Sequence, residues 1–413
     1  MSELETIKRI AEEQGEMLAA RDAKMPAVTI GAKTVEEFLR SSRTLCYGGT
    51  AINNLLPEED RFYGADEAPD YDFFTETPQE HGVRLANKLH TAGLGSIELK
   101  PGVHLGTYKL FAEYHAVADL TFINPKIFEN LWKDKMTRHG IHYVNPNFLR
   151  MAMYLELSRP EGDISRWEKV YTRLLLLNKE FPIVCSGRAK RPDELSPIRK
   201  KETIKMLKNS PIILLGFSAV SRHEKKAYWY TPVTLLAEKS EIEKHTKGKK
   251  TIEHDASELL PSRTDVLDEN GEVLYQFYET QACHSYHVTA DGIKIGSIPT
   301  ILAFFLALIY LGESKDDITR LECVAQRLIE LAGHKPERRF ALLTPKPCLG
   351  KQNELVDLRR NRTDLFKKIS NNKSSPDFIQ YFFTYNPTAS KTERKKVRDI
   401  LKKTQKARLT LED

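Results

Sequence analysis

The sequence predicts an α+β chain in which two similar mixed-sheet units follow one another. Three observations carry that expectation. Leu45-Cys46-Tyr47, Gly48-Gly49-Thr50 and Ala51 to Leu55 read as a short apolar strand, a glycine turn and a helix. Asp70-Tyr71-Asp72-Phe73-Phe74 alternates acidic with aromatic residues, the period of a strand with two unlike faces. The pattern then returns: Leu214 to Val220 resembles Leu45 to Ile52, and Gly296 to Leu302 resembles Val144 to Arg150. The glycine turn and the proline stand 98 residues apart in the first half (Gly48 to Pro146) and 83 in the second (Gly216 to Pro299), in the same order, as in a duplicated domain.

The elements follow in order. Residues 1–43 are an N-terminal helical segment: an amphipathic helix to about Ile30, a loop, and a helix opening from Thr34 to Arg40. Thr34 reads as its N-cap, with Glu37 three residues on. Residues 44–184 form the first mixed-sheet domain. A polar loop from Pro57 to Pro69 leads into the acidic-aromatic strand, and His81 to Ala92 reads as a helix. Gly106 to Tyr114 and Val117 to Phe122 read as strands, with Asp119 inside the second. Asn147 to Leu157, opened by Pro146, and Ile164 to Asn178 close the domain as helices. Residues 185–210 read as a basic connector, since Cys185 to Asn209 holds eight Lys/Arg. Residues 211–388 form the second unit, and 389–413 a basic tail.

Composition bounds the function. With 413 residues, 40% hydrophobic and 29% charged, the chain has length for two or three domains of about 150 residues. The net charge of +6 is localised, because residues 351–413 carry 16 Lys/Arg against 8 Asp/Glu. A basic tail on a near-neutral body points to a polyanion partner, most often nucleic acid. The longest apolar run, Ile298 to Leu311, has 14 residues, too short for the roughly 20 of a membrane span, and reads as a buried helix. No membrane association is expected, and no signal peptide is visible. The five cysteines are an odd number with no CxxC pair. A disulfide framework and structural zinc are therefore not expected, and a reducing, cytoplasmic compartment is.

The acids carry the chemistry. On a strand, residues two apart project to one face, so Asp70 and Asp72 bring two carboxylates together. Such a pair repels itself unless a cation lies between, and Mg²⁺ takes oxygen ligands of this kind while keeping waters and substrate phosphates as its others. Asp119, on a neighbouring strand, supplies a third carboxylate, as in the two-metal arrangement for phosphoryl or nucleotidyl transfer. Gly48, Gly49 and Thr50 would face the phosphates, where a glycine turn delivers the chain into a helix N-terminus. All three acids lie among apolar neighbours, where a buried carboxylate without a partner is costly. The second half has no Asp-x-Asp strand after Gly216, and Asp265 and Asp268 fall on different faces of a strand. It reads as a degenerate copy.

The order Tyr47-Gly48-Gly49-Thr50-Ala51, then Asp70-Tyr71-Asp72-Phe73-Phe74, then Ala118-Asp119-Leu120 resembles the polymerase-beta-type nucleotidyltransferases. Phe148 to Tyr154, Glu156 to Pro160, Arg166 to Val170 and Tyr385-Asn386-Pro387 narrow the resemblance. They are similar to the catalytic poly(A) polymerases of nucleocytoplasmic large DNA viruses, the giant-virus, asfarvirus and poxvirus-like group. Two departures stand out: Thr50 replaces the usual Ser, and the gap from Gly49 to Asp70 is long. The resemblance implies a nucleotidyltransferase domain followed by a degenerate one. It implies addition of AMP from ATP to an RNA 3′ end without a template, with two Mg²⁺ (or Mn²⁺) ions as cofactors. It also implies a homodimer or a processivity subunit as partner. Triphosphate charge would be met by cations after Asp119, with Arg150, Arg159, Arg166 and Lys169 as candidates. Two alternatives stand beside it: another nucleotidyltransferase (an oligoadenylate or cyclic-dinucleotide synthase, or a CCA-adding enzyme) and a non-catalytic RNA-binding subunit. Cys283, His284 and His287 read as a strand rather than a metal site, and Tyr381 to Tyr385 as core aromatics rather than a base-stacking platform.

Overall fold

The computed structural model describes residues 2–64, 67, 69–187, 192–226, 228–280, 282–312, 315–333 and 347–409. Contacts divide the chain into two units: residues 1–145 with 355–413, and residues 146–354.

The first unit opens with α1 (Glu3–Ala23) and α2 (Pro26–Arg40), then β1 (Leu45–Tyr47), α3 (Gly48–Leu55), β2 (Tyr71–Thr75) and α4 (Pro78–Thr91). It continues with β3 (Ile97–Pro101), β4 (Thr107–Ala112), β5 (His115–Phe122), α5 (Pro125–Lys133), β6 (Met136–Arg138) and β7 (Ile141–Tyr143). Among the described residues its strands form one mixed sheet in the order β3-β4-β5-β2-β1-β7-β6. The two faces of this sheet differ as the period-2 alternation requires. Tyr71, Phe73, Tyr108, Leu110, Ala118 and Leu120 are buried on one face, beneath the apolar stripes of α2 (Val35, Phe38, Leu39) and α4 (Leu85, Ala86, Leu89). Asp72, Lys109 and Asp119 alternate to the other, half-covered face.

The end of the chain completes this unit. At the edge strand β3, Leu99 N–H donates to the Tyr385 carbonyl at 2.9 Å, and Tyr385 N–H donates to the Leu99 carbonyl at 3.0 Å. The Tyr385 hydroxyl donates to Asn87 at 2.8 Å, and the Tyr108 hydroxyl to the Ile379 carbonyl at 2.8 Å. Phe382, Phe383 and Tyr385 are buried, core aromatics as their apolar run suggested. The helix Lys391–Leu409 follows, with Val397, Ile400 and Leu401 half-buried along one stripe.

The second unit holds α6 (Pro146–Leu157), α7 (Trp167–Glu180), α8 (Pro197–Lys208), β8 (Ile213–Leu214), α9 (Gly216–His223), β9 (Val233–Ala237) and α10 (Lys239–Thr246). Then come β10 (Thr251–His254), β11 (Arg263–Leu267), β12 (Val273–Glu279), β13 (His284–Val288), β14 (Lys294–Gly296), α11 (Ile298–Leu308), α12 (Lys315–Gly333) and β15 (Cys348–Leu349). Its strand order, β10-β11-β12-β9-β8-β14-β13, repeats the first sheet position for position, with β15 added beside β13. The strand senses repeat as well. The β1/β2 and β8/β9 pairs are antiparallel, the β2/β5 and β9/β12 pairs parallel, and the β1/β7 and β8/β14 pairs parallel. Helix α11 is buried on every side, from Ile298 through Ala307, and packs on α6 and α12. A helix apolar all round belongs in a core, and among the described residues no helix is long and apolar enough to cross a membrane.

Several local expectations change. Helix α2 begins at Pro26, so Thr34 lies inside it, and its hydroxyl donates to the Ile30 carbonyl at 2.8 Å rather than capping an end. The segment read as a connector contains α8, capped by Ser196, while the basic residues Arg188, Lys190 and Arg191 lie outside the described residues. Residues 146–184 pack with the second unit, because α6 lies against the buried α11, and residues 355–388 pack with the first. Four of the five cysteines pair, as Cys185–Cys323 and Cys283–Cys348, against the expectation of none. Pairing over 138 and 65 residues is set by the tertiary fold and leaves no spacing signature.

Candidate active site

The site is built on the open face of the first sheet. In the parallel pair β2/β5, Asp72 is in register with Asp119, which places both carboxylates on one face of adjacent strands. Asp70 lies just before β2 and is exposed. Burial first, then the charges of Asp72, Asp119 and Asp70, push the Tyr47 phenol up. Cys46 behind them is raised by burial and again by Asp72.

The glycine turn is fitted to these acids. Gly48 has φ +76°, and a Cβ built there would lie 2.5 Å from Asp72 Oδ2, so the backbone of the turn and the carboxylate occupy ground no other residue leaves free. Tyr47 precedes α3 and gives it no side-chain cap, so the amide groups of Gly48 and Gly49 open the helix toward the acidic face. Thr50 is buried, and its hydroxyl donates to the Asp70 carbonyl at 2.6 Å. It therefore anchors the backbone leading into β2 and is engaged with protein. Tyr47 stacks on Phe74 with centroids 3.9 Å apart. The Tyr47 hydroxyl and Thr121 are 2.9 Å apart, and Thr121 is 3.0 Å from Thr107, a polar chain on the same face.

Lys109 is a site residue that the sequence reading missed. It stands directly across the β4/β5 pair from Asp119, and its ammonium bonds the Asp119 carboxylate. Burial still holds the Asp119 carboxyl above its usual range, and the Lys109 charge offsets this only in part. The one available signal was the alternation Thr107-Tyr108-Lys109-Leu110, which puts a cation on the acidic face.

The donor set fits divalent magnesium or manganese. Carboxylates are hard oxygen ligands, two of them are paired across neighbouring strands, and a lysine ammonium supplies positive charge to Asp119, where a metal ion would also place it.

The four candidate cations all lie in the second unit. Arg150 is fully buried, and its guanidinium donates to Asn178 at 2.6 Å and to Asn147 and the Phe181 carbonyl. Burial lowers its pKa to about 10. With its donors taken by protein oxygens, Arg150 is a structural cation joining α6 to the end of α7, against the expectation of a phosphate contact. Arg159 is half-buried, and its Nε has no hydrogen-bond partner among the described residues. Arg166, in the turn before α7, pairs with Glu156 at 3.2 Å, and Lys169 is exposed. The other cluster, Cys283, His284 and His287, lies at strand β13 as expected. The sulfur of Cys283 is bonded to Cys348, so its meeting with Glu161 is no metal site.

Comparison with known proteins bears on this geometry. Residues 33–163 match the family model described as Poly(A) polymerase catalytic subunit. A protein of Acanthamoeba polyphaga mimivirus named "Putative poly(A) polymerase catalytic subunit" is 28% identical over 155 residues, which is 37% of this chain and 26% of that protein. A protein of the same name from African swine fever virus is 26% identical over 170 residues, 40% of this chain and 35% of the viral protein. The chain thus spans about a quarter to a third of the length of the curated relatives it matches. The crystal structure of the Megavirus polyadenylate synthase superposes with a TM-score of 0.78 at 18% identity, over 97% of this chain and 89% of that one. Residues 33–163, which include Gly48, Asp70, Asp72, Lys109 and Asp119, therefore match the model of the poly(A) polymerase catalytic-subunit family, in a chain that shares its fold with the Megavirus polyadenylate synthase.

Proposed function

We propose that the chain is a template-independent poly(A) polymerase that transfers AMP from ATP to RNA 3′ ends. The observation that supports this best is the acidic face, with Asp72 and Asp119 in register across β2/β5, Asp70 two residues before, and Gly48 seated against Asp72. Asp70, Asp72 and Asp119 would hold two Mg²⁺ or Mn²⁺ ions. When bound, such ions activate an attacking hydroxyl and neutralise the charge of a leaving pyrophosphate.

The chain's own residues do the positioning. The uncapped start of α3 and the Gly48-Gly49 backbone face the triphosphate with N–H groups, where a helix end favours negative charge. Thr50 keeps the Asp70 backbone fixed against α3. Lys109 opposes the effect of burial on Asp119, and its ammonium is close enough to meet substrate oxygens once Asp119 has other partners. The duplicated sheet of the second unit lacks the acids and takes no part in transfer.

The test is extension of an RNA primer with each of the four nucleoside triphosphates in Mg²⁺. Asp70→Ala, Asp72→Ala and Asp119→Ala are expected to lose AMP addition while keeping the wild-type thermal midpoint. Losing a metal ligand removes several kcal/mol of transition-state stabilisation. A folded variant with near wild-type turnover overturns that residue's role, and extension with another nucleotide in place of AMP points to a different nucleotidyltransferase.

A further inference from the structure

The second sheet repeats the first strand for strand, so each residue of the acidic face has a positional counterpart. Asp72 beside Asp119 is matched by Thr234 beside Gln276 in the parallel pair β9/β12. Lys109 across from Asp119 is matched by Asp265 across from Gln276. Asp70 is matched by Pro232, two residues before Thr234. The glycine turn is kept as well. Gly216 has φ +63°, and a Cβ built there would lie 2.7 Å from Thr234 Oγ1, the same close approach that Gly48 makes to Asp72. The architecture of a nucleotide site persists, and the three metal-binding carboxylates have been exchanged for Pro232, a hydroxyl and an amide.

These substitutions line a cavity of about 340 Å³, inside the range of about 300–1,000 Å³ usual for small-molecule sites. Thr234 and Gln276 lie together on it, and Phe217, Phe305 and Tyr278 contribute aromatic rings. Two cations reach it, and both are already matched: Arg263 pairs with the buried Asp265 at 2.9 Å, and Arg320 bonds Asp317. The Arg320 guanidinium lies 5.4 Å from the Phe217 ring centroid, within cation–π distance. Neutralised cations select against a polyphosphate. Aromatic rings, a guanidinium and an amide are what an unstacked base meets in RNA-binding proteins, and a glutamine amide can accept one hydrogen bond from adenine N6–H and donate one to N7.

We propose that this cavity binds the base of a single nucleotide, free or within an RNA strand, and does so without metal. The inference goes beyond the proposed transfer activity and rests on the fold alone. A protein that adds no AMP but binds a base here would still support it.

The experiment is titration calorimetry on the full chain in EDTA, with AMP in one arm and a short single-stranded oligoadenylate in the other. Wild type and Asp72→Asn are compared with Gln276→Leu, which keeps side-chain bulk without the amide, and with Thr234→Leu, which fills the cavity. A variant is read only where its thermal midpoint shows it folded, and having two variants keeps the test open if one fails to fold. Binding in EDTA is expected to survive Asp72→Asn and to weaken about tenfold or more in a pocket variant. Weakening in the AMP arm identifies a free nucleotide as ligand, and weakening in the oligoadenylate arm alone identifies RNA. No binding in EDTA in either arm, or binding abolished in Asp72→Asn and kept in both pocket variants, overturns the proposal.

Discussion

Replacing Gly48 by alanine tests the candidate site against a control that the fold itself supplies. At Gly48 the backbone is left-handed, with φ +76°, and the new Cβ would lie 2.5 Å from Asp72 Oδ2. At Gly216 φ is +63°, and the Cβ would lie 2.7 Å from Thr234 Oγ1. Left-handed backbone costs a residue with a Cβ about 1–2 kcal/mol, and the close approach forces a neighbour to move as well. Gly48→Ala and Gly216→Ala are therefore expected to lose similar stability, about 1–3 kcal/mol each. For units of about 150–250 residues this lowers the thermal midpoint by about 2–4 °C per kcal/mol. Their effects on AMP transfer are expected to differ. In Gly48→Ala the atom that moves is an oxygen of the proposed metal ligand Asp72, and misplacing a reacting group by about 1 Å costs on the order of 100-fold in rate. In Gly216→Ala the atom that moves belongs to Thr234, and turnover stays near the wild-type level. The assay is single-turnover extension of a labelled RNA primer, beside thermal unfolding of each variant. Full activity in a folded Gly48→Ala would refute the placement of Asp72 against the turn. An equal loss in both variants would show that transfer tracks stability rather than the acidic face.

Three further outcomes are expected. Truncation after Pro387 removes the basic helix Lys391–Leu409 and keeps Tyr385 in place; RNA affinity should fall and its salt dependence flatten by nearly one log unit per log of salt for each phosphate that the tail had neutralised, and an unchanged slope in filter binding would show that the tail does not touch RNA. Arg150→Met removes the guanidinium bonds to Asn147, Asn178 and the Phe181 carbonyl, so it should cost at least about 2 kcal/mol in chemical denaturation while the KM for ATP of the folded protein holds; a raised KM with unchanged stability would restore Arg150 as a phosphate ligand. Burial lowers His284 to about 3, with the nearby Arg159 assisting, and His81 to about 4. The unfolded chain then takes up protons first, so the stability these two contribute is complete above about pH 6.5 and is lost as pH falls from there toward 4. For the buried His284 the loss at pH 4 is on the order of 3 kcal/mol, and a His284→Gln variant whose thermal midpoint falls just as steeply with acid would remove that attribution.

What could be read from the sequence was what a short window contains. Asp70 and Asp72 among aromatics announce one strand with an acidic face, and Gly48-Gly49 after an apolar triplet announces the turn that meets it. The duplication was legible because Gly216 and Pro299 repeat Gly48 and Pro146 in order. What stayed hidden depends on partners far along the chain. Lys109 reads as one more solvated lysine until β4 pairs with β5 and places it across from Asp119. Arg150 resembles a surface cation on a helix until α6 is enclosed and its guanidinium must find protein oxygens. Thr34 has the pattern of a cap, but Pro26 starts the helix two turns earlier, and local chemistry yields to the longer apolar stripe of Val35, Phe38 and Leu39. The cysteine pairs join positions that only the folded chain brings together.

The bridge between Leu99 and Tyr385 has a consequence for how the protein is made. Strand β3 leaves the ribosome well before Tyr385, whose backbone pairs with Leu99 on the strand's outer side. At about 5–20 residues per second, the roughly 280 residues between them take on the order of 15–60 s to appear. Through that interval the nascent first sheet presents an open strand edge, the feature most prone to pairing with a neighbouring chain. A premature stop anywhere before Tyr385 would therefore do more than delete a tail. It would release a protein whose acidic face is present and whose β3 edge lacks the Leu99–Tyr385 bridge. Crowded translation of such fragments should favour aggregates over soluble protein.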